Sequence, residues 1–428
     1  MKLTKKFGRL FLSIEIGPGI KLRKTYICSD PNLLEELFNT KQFENFSERN
    51  SVNYVRPEVA HLFLANGERW ANLRKSASIF TNKNMRSMNK LIEDSIIDVL
   101  NEMNIGAKKC EIVDFCDYAD LFFAAMISKI AFSLVYPNVN LKKFPQKYVN
   151  FAKELIIKKE QHKENEQKQK QFGLFKVLYN HILMDKQDSN ESSSNNSTTR
   201  LEVILEFFSV RKNYELFSAI LVLCSNRLGS SDTLQTISFA LSCIVHFMAA
   251  HPQIQEKLRI NLQNEDNNLF LNTSSEKELI DGVINETLRL CPIVAFANTR
   301  KCNIKYLTKN GEICLNPGDI IEADIFSMAR DKEFWGEDAN EFKPERWFNS
   351  PHSPSSFLAL LPFGFGPRRC VGIPLAKYVL KKALTAIILR FRIICENACE
   401  IELLGKEVLK PRNVLVRIEE LENSIDEE

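Results

Sequence analysis

The sequence has little charge bias. Lys and Arg number 57 against 54 Asp and Glu, a net charge of +3. No broad cationic surface is expected from that balance, and nucleic acid is not an expected partner. There is no repeated CxxC pattern, and the eleven Cys are an odd number. This argues against a disulfide framework and for a reducing compartment. Cys395 and Cys399 could share a helix face as half of a metal site, but no His or Cys stands near them to complete the four ligands of a structural zinc. Trp is scarce, with three residues, whereas Phe numbers thirty. Such an interior offers flat apolar surface, suited to ordinary core packing and equally to a flat or lipophilic ligand. No signal peptide or membrane-spanning run opens the sequence; Met1 leads straight into the basic KLTKKFGRLF. The one uncharged stretch of bilayer length, Thr233 to Gln255, contains Gln235, Thr236, Ser238, Ser242 and His246. That polar content suits a long helix through a protein core better than one in lipid.

What is present is an average globular composition, 44% hydrophobic and 26% charged over 428 residues. No internal repeat is evident, and a single domain over residues 1–428 is expected. LFLSIEI and TYIC alternate like strands. Asp30-Pro31 opens a helix, with Asp as N-cap and Pro in the first turn. Helical periodicity runs from about Asn84 to Glu160, and resumes from Leu201 to His251. Between them lie the polar run Lys158–Gln171 and the low-complexity segment Asp185–Thr199, read as a mobile loop. After Arg300 short strands are expected from Ile304 to Ile325, with turns at Asn310-Gly311 and Pro317-Gly318. A helix follows from Pro374 to Phe391, and then strand again. The fold class is mainly α with a smaller β portion (α+β).

The most informative segment is PFGFGPRRCVG, Pro362 to Gly372. Gly364, Gly366 and Gly372 would let backbone approach a bulky group closely. Cys370 precedes a helix beginning near Pro374. The helix N-terminus and the charges of Arg368 and Arg369 would favour a thiolate. Arg368 is placed to pair with a carboxylate. Phe363, Gly366, Arg368, Cys370 and Gly372 together match FxxGxRxCxG, which resembles the heme-binding loop of the cytochrome P-450 family.

Further segments carry the resemblance. Glu286 and Arg289 in NETLRL share a helix face, and Arg346 in EFKPERW is similar to the family's third member of a buried ion-pair triad. Glu286 and Cys370 are 84 positions apart, close to the family's separation. Trp70 and Arg74 in GERWANLR look like the family's WxxxR, and Arg300 in ANTRK like a strand Arg; both are implied to reach heme propionates. GSSDT, Gly229 to Thr233, resembles the oxygen-activating segment of the central helix, with Ser230 in place of a Gly. Asp232 and Thr233 are then the implied acid and hydroxyl. Spacing counted back from His251-Pro252 instead gives Thr236, with Gln235 in the acid's place, so both threonines stand as candidates.

The resemblance spans about Phe7 to Arg417 and implies heme b between a long central helix and the cysteine loop, with Cys370 as iron ligand. It implies insertion of one oxygen atom of O2 into a lipophilic small molecule, a steroid, fatty acid or xenobiotic. Electrons would come ultimately from NADPH through a ferredoxin or a flavoprotein reductase. SERNSVNYVRPE, ANTRK and LLPFGFGPRRC are similar to the mitochondrial group of animal members, yet Asp281 and Asn285 stand where basic residues are expected. Lys377, Lys381 and Lys382 could meet an acidic partner. The anchor or targeting segment of full-length members is missing, so truncation is expected, with peripheral contact to the mitochondrial inner membrane or the endoplasmic reticulum. Two rival readings are a non-catalytic heme-binding protein and a heme-thiolate enzyme that rearranges peroxides.

Overall fold

The structure is a computed structural model. It describes residues 9–17, 21–49, 62–63, 65–76, 82–132, 236–263, 274–295, 298–348, 361–395, 400–405 and 408–421. The chain divides into two compact units, residues 1–126 with 235–428 and residues 127–234. Apart from the end of one helix, the described residues belong to the first.

The N-terminal alternation forms strands as expected. β1 (Leu10–Gly17) and β2 (Lys21–Cys28) pair antiparallel, with Leu10 opposite Cys28. β2 runs parallel to β7 (Ile320–Ala323), and β7 pairs antiparallel with β4 (Thr299–Lys301). This four-stranded sheet ties the start of the chain to a segment some 300 residues later and fixes Arg300 on its edge strand. Helix α1 (Pro31–Phe38) starts where Asp30-Pro31 predicts. The Asp30 carboxylate accepts the N–H groups of Asn32 and Leu33 at 2.9 and 3.4 Å. Its Leu34, Leu37 and Phe38 are buried with Ile321, Met328 and Trp335. Each fully buried side chain of this size contributes about 1.5–3 kcal/mol.

After α2 (Gly67–Ser76) comes α3 (Asn82–Ala107). The continuous helical reading from Asn84 onward is interrupted by β3 (Ile112–Asp114), which precedes α4 (Phe115–Phe132). β3 pairs antiparallel with β11 (Leu415–Glu420), and β11 with β8 (Phe391–Ile394). Its partner comes from the far end of the chain, which local periodicity cannot reveal. The polar run, the low-complexity segment and the resumed helix before Thr236 lie outside the described residues.

The stretch Thr233 to Gln255 is not one helix. α5 (Thr236–Ala250) ends before His251, and α6 (Pro252–Gln263) leaves at 106°. Pro252 has no N–H to continue the ladder and disfavours the helical conformation at His251. α5 is buried from Ser238 to Val245, as a core helix should be, and packs against α7 (Ser274–Leu290) and α10 (Ile373–Arg390). No single described helix is long and apolar enough to cross a membrane. The expected hairpin texture appears as β5 (Tyr306–Leu307) with β6 (Cys314–Leu315). The short helices α8 (Ile325–Met328) and α9 (Lys332–Trp335) follow β7. A further pair, β9 (Leu403–Leu404) and β10 (Lys410–Pro411), lies near the C-terminus.

Candidate functional site

The cysteine loop is two 3-10 turns, Leu361–Phe363 and Gly366–Arg368, closed upon each other ahead of α10. The Cys370 N–H donates to the Phe363 carbonyl at 2.8 Å, and the Arg369 N–H to the Gly366 carbonyl at 3.1 Å. Two of the glycines are required by the protein's own packing. Gly366 has φ +67°, and a Cβ there would sit 1.9 Å from the Phe38 carbonyl oxygen; Gly364 has φ +76° and a Cβ would meet Asn298 Oδ1 at 2.9 Å. The loop is thus pressed onto the end of α1, where only Gly fits.

Cys370 is exposed, yet protein surrounds it densely enough that burial is the first cause raising its thiol above the ordinary value. Against burial act the N–H of Gly372, the charges of Arg74 and Arg49, and the N–H of Ile373. Backbone donors reach the sulfur as the helix start predicts. The cations acting on it, however, are Arg74 and Arg49 rather than Arg368 and Arg369, because Arg368 turns inward and Arg369 outward.

Four guanidiniums from four separate segments converge here. Arg300, 1% exposed, donates to the carbonyls of Thr299 (2.8 Å) and Phe365 (3.4 Å) and lies over the Phe38 ring. Arg368 donates to the carbonyls of Ala65 (2.9 Å) and Phe63 (3.2 Å) and lies over the Trp70 ring. Arg74 donates to the Arg369 carbonyl at 2.7 Å, and Arg49 to the Arg368 carbonyl at 3.5 Å. Burial and then the like charge of Arg368 push Arg300 down to about 9; burial and then Arg74 push Arg368 down to about 10. Burial, then Arg300 and Arg368, lower Arg49 as well. Guanidiniums are among the strongest bases in proteins, so such shifts mark a site crowded with positive charge. The acid that acts on Arg368, Glu48, is engaged with Lys301 at 3.1 Å. The donor set therefore fits a dianion of two carboxylates beside a sulfur ligand, which is what a heme presents.

Glu286, Arg289 and Arg346 form a separate buried cluster. Arg289 grips Glu286 with two bonds of 2.8 Å, and Arg346 Nε donates to Oε1 at 2.7 Å. The Lys343 N–H (3.0 Å) and the Trp347 indole N–H (2.9 Å) complete five donors to this carboxylate. Arg289 also donates to the carbonyls of Ala329 and Ala339, both at 2.5 Å, and of Glu341 at 3.1 Å. The pair is thereby supplied with the additional hydrogen bonds that buried charges require.

Thr236 is half-buried at the start of α5; Asp232 and Thr233 lie outside the described residues. Arg49 and Trp347 escaped sequence reasoning. Nothing in their local spacing marks them, since their partners come from other parts of the chain. Among the described residues, no group of three or more His, Cys, Asp or Glu could hold a metal ion, as one-thiolate ligation requires none.

Residues 1–416 match the family described as cytochrome P450. The chain belongs to that family. It is 27% identical to Caenorhabditis elegans CYP13A4 and CYP13A1, and 28% identical to CYP13A3, all three provisionally named as cytochromes P450. The matches cover 97% of this chain and 87%, 88% and 87% of those relatives. Membership makes this chain a heme-dependent monooxygenase, with heme as cofactor, O2 and a small molecule as substrates, and a redox partner as electron source.

Proposed function

We propose that Cys370 ligates heme b, that Arg49, Arg74, Arg300 and Arg368 take up its carboxylates, and that the substrate is lipophilic: a steroid, a fatty acid or a xenobiotic. The observation that carries the reading is four guanidiniums gathered at the cysteine loop, two of which, Arg49 and Arg74, act on the Cys370 sulfur together with the N–H groups of Gly372 and Ile373. When bound, the heme supplies the redox chemistry of oxygen activation. The chain's residues do the rest. The arginines neutralise and orient the propionates, Trp70 backs Arg368, and the N–H groups of Gly372 and Ile373 withdraw electron density from the sulfur. Asp232 with Thr233, or Thr236, holds the proton that the reaction consumes.

The donor in this reading is an acidic protein, a ferredoxin or a flavoprotein reductase passing on electrons from NADPH. Lys377, Lys381 and Lys382 are engaged within the protein, by Asn285 at 3.2 Å, by Asp281 at 2.6 Å and by Glu93. Arg369, exposed and next to Cys370 in the chain, is a cation offered instead. Peripheral contact with a membrane, of the endoplasmic reticulum or the mitochondrial inner membrane, is supported by the exposed Leu12, Ile304 and Leu307.

The test is the absorption spectrum of the reduced, carbon-monoxide-bound protein. The wild type is expected to give the thiolate-type spectrum and Cys370→Ala to lose it, with the other ten Cys intact. Survival of that spectrum in Cys370→Ala refutes the ligation.

A further inference from the structure

We infer that Trp347 is a positioning residue: its indole N–H anchors the Glu286 carboxylate, and through helix α7 this holds the cysteine loop in register for the heme. The inference rests on ligation by Cys370.

Glu286 Oε1 accepts three hydrogen bonds, from Arg289, Arg346 and the Lys343 N–H. Oε2 accepts two, from Arg289 Nε at 2.8 Å and Trp347 Nε1 at 2.9 Å. Trp347 therefore supplies half of what Oε2 receives. Glu286 is 0% exposed, so water cannot replace a donor that is removed. A Phe at this position would keep an aromatic ring beside Trp335, whose ring centroid lies 5.6 Å away, and lose the N–H together with part of the indole's bulk, a loss that Trp335→Phe shares.

The connection to the cysteine runs through close contacts. Glu286 sits in α7, and the segment Pro344–Trp347 lies directly along that helix. At Gly282 an added Cβ would stand 2.6 Å from the Pro344 carbonyl oxygen and 3.1 Å from Phe348, so the two elements have no slack. α7 also packs against Leu361–Phe363, and the Phe363 carbonyl receives the Cys370 N–H at 2.8 Å. A shift of α7 is thus transmitted to the backbone that presents the sulfur.

Trp335 provides the control. Its indole N–H donates at 2.8 Å to a neutral acceptor, the Met328 carbonyl, and its ring lies 4.8 Å from the Arg289 guanidinium. Trp335→Phe removes one indole N–H from the same cluster without touching the carboxylate.

The experiment uses the full-length heme-loaded protein and titrates urea. Two quantities are followed together: the thiolate-type fraction of the reduced carbon-monoxide spectrum, and helix content by far-UV circular dichroism. Hydrogen bonds to charged groups are worth more than neutral ones, so Trp347→Phe should speed conversion to the non-thiolate form by about tenfold to a hundredfold, and Trp335→Phe by less than about tenfold. In Trp347→Phe ligation should be lost at urea concentrations where helix content is still native; in Trp335→Phe and wild type the two should fall together. Loss of ligation and helix together in Trp347→Phe, or equal effects of the two substitutions, overturns the inference alone. Aggregation of Trp347→Phe while Trp335→Phe stays soluble identifies a folding role and also overturns it. A wild type without the thiolate-type spectrum overturns the ligation by Cys370, and this inference with it.

Discussion

Glu286→Ala is the sharpest perturbation of the heme-side core. The carboxylate is wholly buried and receives five hydrogen bonds. Its removal leaves Arg289, 2% exposed, without a carboxylate, and leaves Arg346, 11% exposed, with Asp338 at 3.5 Å. Arg289 keeps three carbonyl acceptors, so it is not orphaned, but its charge has nothing to neutralise it. Breaking a buried pair by deleting one partner costs about 3–5 kcal/mol, against a total stability of about 5–15 kcal/mol. At about 4 kcal/mol the unfolded fraction rises by about a thousandfold. Arg346→Ala should be milder, about 1–3 kcal/mol, because it takes one of five donors and leaves the carboxylate held by Arg289. Heme content per soluble protein, together with the urea midpoint, measures both variants. Normal heme and an unshifted midpoint in Glu286→Ala, with turnover alone lost, would refute the structural role.

Two further outcomes are expected. Thr233→Ala should leave substrate binding nearly unchanged and uncouple the enzyme, with NADPH consumed and peroxide released without product, while Thr236→Ala is mild; the reverse result would shift the alignment of this helix by one turn. In liposome flotation the chain should rise weakly with lipid through Leu12, Ile304 and Leu307, and replacing all three by Ser should abolish this; a wild type that stays wholly in the aqueous fraction argues against membrane contact.

What was legible in the sequence is what depends on neighbours in the chain. The alternation of LFLSIEI, the Asp30-Pro31 cap and the apolar pattern after Pro374 act over a few residues, and each element formed where expected. The resemblance carried more, because it brought together Glu286, Arg289 and Arg346 in one reading. Elements that depend on distant partners were not legible. β3 interrupts a helical pattern only because β11 comes to pair with it. The contact of Gly366 with the Phe38 carbonyl comes from a distant part of the chain and has no local signal. Lys377, Lys381 and Lys382 looked like a free basic face, yet each finds a partner on another helix. Arg49 is invisible until its segment is folded against Asn66 and the cysteine loop. The Thr233–Thr236 ambiguity persists because only the later threonine falls among the described residues.

Two buried arginine clusters in one protein make an informative contrast. Arg289 and Arg346 share Glu286, and their remaining donors go to carbonyls and, for Arg346, to the Asp338 carboxylate, so that cluster is complete in the polypeptide itself. Arg300, Arg368 and Arg74 donate, among the described residues, to carbonyls alone, and burial first, then like charge, lowers Arg300, Arg368 and Arg49. Carbonyls satisfy the N–H groups but leave the charge. Desolvated like charges destabilise the folded chain, so a ligand carrying negative charge stabilises it in proportion to its concentration over its dissociation constant. On the proposed ligation, two propionates would bring two negative charges to the four cations, the Cys370 thiolate being offset by the net positive charge of a ferric porphyrin core. The sulfur and the arginines act on one another across the chain, whereas the charges of the Glu286 cluster are balanced by carboxylates of the chain itself.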